Sequence, residues 1–313
     1  QSPSQKSYPI NFSKVAIEDN FWSPQLEKVA NATIDACVTY TEDKTGRIRN
    51  FEKVAQGSGK HEGIYYDDSD VYKAIEAIAY SLKNYPDKEL EANTDVWIDK
   101  IAAAQQPDGY LNTYYTLNGL QDRWKDMERH EDYCAGHLIE AGIAYYNTTG
   151  KDKLLKVATK FADHIDNYFR VPNKPWVSGH EGIELALMKL YHHTNEKRYL
   201  QLADWFVEQR GRGHGVGKIW DEWKDPEYAQ DDIPVRDQRK ITGHAVRAMY
   251  LYTGVADIAS ETKDAGYVKT MDAIWDDVVN KHYYITGGIG AQGSNEGFGK
   301  PYDLPNESAY CET

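Results

Sequence analysis

The 313-residue chain carries 36 basic against 49 acidic side chains, a formal charge of -13, and 41% of its residues are apolar. That length and composition suit one globular domain with a substantial core, and the acidic balance disfavours a nucleic-acid backbone or an anionic membrane as partner. No apolar run approaches the roughly 20 residues of a membrane span, and the cysteines, Cys37, Cys134 and Cys311, form neither a C-x-x-C pair nor a disulfide framework.

Residues 8–16 mix apolar and polar side chains in a short pattern that suits an N-terminal strand or extended arm within residues 1–22. Ser23-Pro24 then opens a helix running to about Tyr40, with Ser23 as cap and Pro24 in the first turn. Asp68-Ser69-Asp70 precedes Val71, Ala74, Ile75, Ile78 and Leu82, a helical face, and beyond Pro86 a partner helix spans about Leu90 to Ala104. Pro107-Asp108-Gly109 makes a turn.

Three Gly-His pairs, Gly136-His137, Gly179-His180 and Gly243-His244, each open an apolar run followed by a polar break and a second amphipathic run. The second runs are carried by Leu154, Ala158, Phe161 and Ile165, by Leu202, Trp205 and Phe206, and by Val268, Met271, Trp275 and Val278. Their unequal spacing excludes a strict solenoid but fits helical hairpins with insertions. The fold class is therefore all-α, a helical toroid with the more apolar first helices inside, and a helical superhelix is the alternative. Within the insertion at 210–241, Arg210-Gly-Arg-Gly-His214-Gly lacks the spacing and the Lys-Ser/Thr of a phosphate-binding loop, so it reads as a connection crossing one end of the domain.

A histidine at a helix start is able to hydrogen-bond sugar hydroxyls, although capping and packing are the commoner uses. Recurrence favours a shared site for His137, His180 and His244, because an annular stack brings their helix beginnings to one rim. The abundant Tyr and Trp suit stacking on sugar faces as well as core packing. Late in the chain, a glycine-rich stretch from Tyr284 to Gly299 presents Glu296, and Glu312 follows Tyr302-Asp303-Leu304-Pro305-Asn306. Glycoside hydrolysis needs two groups in separate acid/base and nucleophilic or water-activating roles. The competing reading makes Glu296 a solvated loop residue and Glu312 a helix-start residue. Cys311 and Glu312 are chemically able to ligate zinc, but two adjacent candidates make no site.

Several blocks together resemble glycoside hydrolase family 127 and its relatives, the bacterial beta-L-arabinofuranosidase group. They are Asp68-Ser-Asp-Val-Tyr-Lys73, Asp108-Gly-Tyr-Leu-Asn-Thr-Tyr-Tyr115, His130-Glu-Asp-Tyr-Cys-Ala-Gly-His137, Gly179-His180-Glu, Gly243-His-Ala-Val-Arg247, Thr286 through Gly299, and Tyr302 through Thr313. The resemblance implies an (α/α)6 catalytic barrel, with residues 23–313 as its N-terminal part and β-sandwich regions downstream. It also implies exo-action on terminal arabinofuranose, most simply beta-L-arabinofuranose of an oligosaccharide or glycan, with retention and a zinc-bound cysteine thiolate as nucleophile.

Residue by residue, Glu296 matches the family acid/base and Glu312 a zinc ligand. His180 and His244 match substrate-contacting histidines, with His130 or His137 as the third. The family pattern continues past Thr313 with a zinc-ligating cysteine and a later adjacent cysteine pair, so the toroid is expected to be incomplete here and this chain inactive by itself. A periplasmic or extracellular bacterial location is the matching expectation, and monomer and homodimer both stay open. Another sugar-processing helical barrel, an unsaturated uronyl hydrolase or an epimerase, is the second enzymatic reading, and a non-catalytic carbohydrate-binding module the third.

Overall fold

The computed structural model describes residues 10–310. They form an all-α arrangement, and among them only isolated bridges, from His244 and Gln292 to Gly297, resemble β-structure. Of the expected N-terminal strand or extended arm, the described residues show no strand, and Phe12–Lys14 is a 3-10 turn. Asn11 accepts from the Ser13 amide, and this local bond gives the backbone a turn in place of a ladder.

A helical run from Trp22 to Lys44 follows, with α1 (Trp22–Lys28) and α2 (Ile34–Thr39) separated and ended by π-helical segments Val29–Thr33 and Tyr40–Lys44. It is held at its start by Asp19, whose carboxylate accepts from the amides of Phe21, Trp22 and Ser23, so Asp19 does the capping expected of Ser23. Then come α3 (Arg47–Gln56), α4 (Asp68–Asn84), α5 (Lys88–Ala104) and the short α6 (Thr113–Asn118). The remaining helices are α7 (Glu131–Thr149), α8 (Lys153–Ile165), α9 (Ile183–Thr194), α10 (Lys197–Gln209), α11 (Lys218–Asp221), α12 (Ala245–Thr262) and α13 (Ala265–Lys281).

Helices α4, α7, α9 and α12 pack in sequence as an inner arc, and α8, α10 and α13 back α7, α9 and α12 from outside, as in an (α/α) toroid. The inner helices are apolar on most sides: Ile139, Ala141 and Tyr145 of α7 and Ile183, Leu187 and Leu190 of α9 are fully buried. Outer helices bury one stripe, as Leu154, Ala158, Phe161 and Ile165 do on α8. On α13 the expected stripe is displaced, because Val268 and Trp275 face outward while Tyr267, Thr270, Ile274 and Val278 are buried. That face is held by the Tyr267 hydroxyl, which lies within hydrogen-bond reach of both Asp204 and Glu208 on α10 with one proton to share, and by Thr270, which donates to the Val235 carbonyl.

Gly136-His137 does not open a helix. Both lie inside α7, which starts at Glu131 with His130 at its cap in the left-handed region, φ 60°. Gly136 serves close helix contact instead, since a Cβ there would stand 3.1 Å from the Gly182 carbonyl carbon.

Several interior polar groups titrate abnormally. Burial pushes the carboxyl of Asp68 up to about 6, that of Asp132 to about 7, and those of Glu131 and Glu181 to about 8. Unfolded, these groups ionise near 4, so above that pH the native state keeps protons the unfolded chain has released, and stability falls as pH rises. Buried histidines run the other way, with His130 and His137 pushed down to about 3 and His244 to about 4. Their contribution is complete above about 6.5 and is lost as pH falls toward those values. The two series oppose each other between about 4 and 6.5, and above that only the carboxyls act. The melting temperature is therefore expected to fall from pH 6.5 to 8.5, with a slope of about 1.4 kcal/mol per pH unit for each carboxyl still protonated. Thermal melts across that range check it, and a rising profile would contradict the burial argument.

Candidate active site

The N-terminal ends of α4, α7, α9 and α12 meet at one rim of the arc and surround a cavity of about 390 Å³. Asp70 and Lys73 line it from α4, Glu128, His130 and Tyr133 from the start of α7, and His180 from the approach to α9. His244, Val246 and Arg247 line it from the start of α12, with Tyr65, Tyr66, Tyr228 and Glu296 from connecting segments. His130, His180, His244 and Glu296 are thus brought together. His137 lies one layer below, its ring 4.5 Å from that of Tyr133, whose ring in turn lies 4.4 Å from His180. Glu312 lies outside the described residues.

The histidines fall into two chemical kinds. His130 Nδ1 is 2.5 Å from the Glu128 carbonyl, and His180 Nδ1 is 2.8 Å from the Glu181 carbonyl. A carbonyl only accepts, so each Nδ1 carries the proton and each Nε2 is left as an acceptor. His244 is reversed: its Nδ1 accepts from the Arg247 amide at the helix N-terminus, and its Nε2–H donates to Glu296 Oε2 at 3.1 Å. Desolvation, reinforced by the Arg247 guanidinium, drives all three pKa values down, so the rings are neutral hydrogen-bonding groups at physiological pH.

Glu296 reaches His244 through paired backbone contacts. Ala245 N donates to the Glu296 carbonyl at 3.0 Å and Phe298 N to the Gly243 carbonyl at 2.9 Å. Only glycine fits at 297, where a Cβ would stand 1.9 Å from the Gly243 oxygen. Glu296 itself has φ 49°, a left-handed conformation that costs a non-glycine residue about 1 kcal/mol or more. A carboxylate held in a disfavoured conformation at a cavity wall has the character of a functional position.

Beneath the rim, Arg210 is completely buried; it forms an ion pair with Glu181 Oε1 at 3.0 Å and donates to Glu184 Oε1 at 3.3 Å and to the carbonyls of Ala229 and Ser178. This joins the 210–241 insertion to the segment carrying His180, so the arginine of the Gly-rich stretch is a structural ion-pair partner. One guanidinium between two buried carboxylates leaves a negative charge uncompensated, consistent with Glu181 retaining a proton.

Glu128, Arg247, Tyr133 and Tyr228 were missed in the sequence as site residues. Tyr133 lies within the His130–His137 block and Glu128 two residues before it, and Arg247 stands three residues after His244, on the same helical turn. Tyr228 lies in an aperiodic loop and carries no such signal.

A zinc–cysteine centre does not arise from the described residues. Cys37 and Cys134 are outside the cavity lining, and burial raises the Cys134 thiol well above its ordinary range, away from thiolate. The candidate metal-coordinating group present is Glu76, His137 and Glu140, with ligand atoms within 4.8 Å of one another. Its carboxylates already have partners: Glu140 pairs with Lys189, and Glu76 accepts from the Tyr80 hydroxyl. His137 Nδ1 stands 3.5 Å from Glu140 Oε2, close enough for attraction but without hydrogen-bond geometry, and neither of its ring nitrogens has a hydrogen-bond partner.

Residues 14–313 match the catalytic-domain family described as beta-L-arabinofuranosidase, GH127. The chain is 40% identical to a non-reducing end beta-L-arabinofuranosidase of Bifidobacterium longum subsp. longum, over 96% of its own length and 51% of that protein's. Its fold superposes with a TM-score of 0.90 on a GH127 beta-L-arabinofuranosidase from Geobacillus stearothermophilus T6, at 38% identity, covering 95% of this chain and 50% of that one. A second GH127 beta-arabinofuranosidase structure gives a TM-score of 0.87 at 42% identity, covering 97% of this chain and 48% of its own. The chain thus spans about half the length of the relatives it matches. With the family match running through both the inner helices and the rim that holds His130, His180, His244 and Glu296, this chain belongs to glycoside hydrolase family 127, the beta-L-arabinofuranosidase family.

Proposed function

We propose that this domain belongs to an exo-acting glycosidase that releases terminal arabinofuranose, most simply beta-L-arabinofuranose, from an oligosaccharide or glycan with retention. The observation that carries the reading is Glu296, held in a left-handed conformation and hydrogen-bonded to His244 on the wall of a cavity that also presents His130 and His180. In this reading Glu296 protonates the departing glycosidic oxygen and then takes a proton from the water that releases the sugar. His130 and His180 accept from sugar hydroxyls through Nε2, and His244 holds the Glu296 carboxyl in place. His137 supports the floor from below. The inner arc is part of an (α/α)6 ring in the full-length protein, whose periplasmic or extracellular location would give access to a polymeric substrate.

The family resemblance also assigns zinc to Glu312 together with cysteines that the 313-residue sequence does not include. When bound, zinc lowers the pKa of a coordinated thiol and so supplies a nucleophilic sulfur. The proton transfers assigned to Glu296 stand apart from that ligation.

Proton NMR of the full-length protein acting on a beta-L-arabinofuranoside tests the reading. First-formed arabinose of beta configuration is the expected product. An epimerised sugar, or hydrolysis of an unsaturated uronyl oligosaccharide in place of the arabinofuranoside, would assign the domain to another sugar-processing barrel, and binding without turnover would make it a carbohydrate-binding module.

A further inference from the structure

The insertion between α10 and α12 forms a braced wall beside the cavity. Arg210 ties it to Ala229 and Ser178, Gly211 N donates to Asp231 Oδ1 at 2.7 Å, and Trp220 Nε1 donates to Asp231 Oδ2 at 2.8 Å. Gln230 Nε2 reaches the Thr242 carbonyl at 2.8 Å, and Met127 N donates to the Val216 carbonyl at 3.0 Å. Such bracing fixes the insertion at both the His180 and the His244 sides of the site.

On this rigid wall Trp223 is 48% exposed, although it is among the largest apolar side chains of the chain. It belongs to a line of aromatic contacts that leads out of the cavity. Trp223 meets Tyr228 edge to face at 5.3 Å, Tyr228 meets His244 edge to face at 5.4 Å, and His244 donates to Glu296. Tyr228 is also fixed by Arg247, whose guanidinium lies 4.9 Å from its ring centroid. Beyond Trp223 the chain turns through Lys224 at φ 57°, and Lys218 Nζ lies 4.9 Å from the indole centroid. Glu222, Asp225 and Glu227, all exposed, make the neighbouring rim acidic.

The direction of this line matters chemically. A group that protonates the glycosidic oxygen faces the bond being broken, so the leaving portion of the substrate departs on the Glu296 side of the released sugar. An exo-acting pocket encloses the terminal residue and leaves the next one at the mouth. Trp223 is not itself part of the cavity lining but lies next to Tyr228, which is, and its exposed indole is a good surface for the C–H face of a sugar ring. Carboxylates around it accept from sugar hydroxyls and repel an anionic partner.

We propose that Trp223 and Tyr228 form an aglycone subsite that takes a neutral, hydroxyl-rich sugar residue of the substrate. The proposal rests on Glu296 being the proton donor of an arabinofuranosidase, and the test separates the two. In the full-length protein, kcat/KM is measured on a beta-L-arabinofuranosyl disaccharide and on methyl beta-L-arabinofuranoside, for the unsubstituted protein, Trp223→Ala and Trp223→Phe. The disaccharide-to-methyl-glycoside ratio of kcat/KM is expected to fall about tenfold in Trp223→Ala, the loss of one stacking contact, and to recover partly in Trp223→Phe. A general loss of folded enzyme cancels in that ratio. An unchanged ratio overturns the subsite while leaving the arabinofuranosidase reading intact. Failure of the unsubstituted protein to hydrolyse either compound overturns both, and a preference for a uronate-bearing disaccharide overturns the assignment to a neutral sugar.

Discussion

Turnover of a beta-L-arabinofuranoside with a basic leaving group is expected to fall by roughly 10²–10⁴-fold in Glu296→Gln, the usual loss when a positioned general acid–base is removed. Thermal stability should be nearly unaffected. The Glu296 side chain is 46% exposed, and the loop is held by the backbone bonds at Ala245, Gly297 and Phe298 rather than by the carboxyl. Glutamine retains an acceptor for His244 Nε2–H, so the substitution removes the proton and little else. The defect in glycosidic cleavage should shrink as the leaving group becomes more acidic and needs less protonation, which a series of aryl arabinofuranosides measures in the full-length protein. A uniform defect across that series, or no defect, would remove Glu296 from the acid role.

The helical scaffold was readable because burial follows the apolar period almost residue for residue. Val71, Ile75 and Ile78 on α4, and Leu202 and Phe206 on α10, lie where that period places them. Tertiary partners decided the exceptions. Val268 and Trp275 continue a helical stripe as well as Tyr267 and Ile274 do, and the tertiary bonds of Tyr267, Thr270 and Asp277 choose between them. Gly136-His137 copied the look of the other Gly-His pairs, yet its glycine serves contact with Gly182, and it is His130 that reaches the cavity from α7. Within the site, Glu296 stood out by the glycines around it. Tyr228 and Trp223 did not, because their contacts depend on how the 210–241 insertion folds back, and no local period encodes that return.

The second large effect is expected at Arg210. Replacing it with Met removes the one guanidinium that, among the described residues, pairs with Glu181 and Glu184, both side chains fully buried, and also frees the carbonyls of Ala229 and Ser178. Breaking a buried pair from one side costs about 3–5 kcal/mol, enough to lower the melting temperature by on the order of 10 °C in a domain of this size. The sign of its pH dependence follows from the carboxyls left behind. Without the arginine the folded pKa of Glu181, already raised to about 8, rises further, so the added deficit develops from about pH 8 upward, where the parent protein releases that proton and the variant keeps it. Urea melts at about pH 6.5 and about pH 9.5 should therefore show the larger deficit at the higher pH. Adding Glu181→Gln and Glu184→Gln should restore part of the loss, because neutral amides no longer demand a counter-ion. Equal deficits at the two pH values would mean that packing around the arginine stem, rather than its charge, holds the insertion in place.

If the cavity holds a sugar as proposed, the opposite proton placements of its histidines bear on which hydroxyl positions it would tell apart. Nε2 of His130 and of His180 offers a lone pair, whereas Nε2 of His244 offers a hydrogen. A hydroxyl satisfies either partner by rotating, but fluorine cannot donate, so a deoxyfluoro sugar would set lone pair against lone pair at the first two rings. Desolvation at those rings makes that mismatch more expensive than it would be in water. Under the proposed function, these two neutral rings would distinguish a sugar position that gives a hydrogen from one that only receives it.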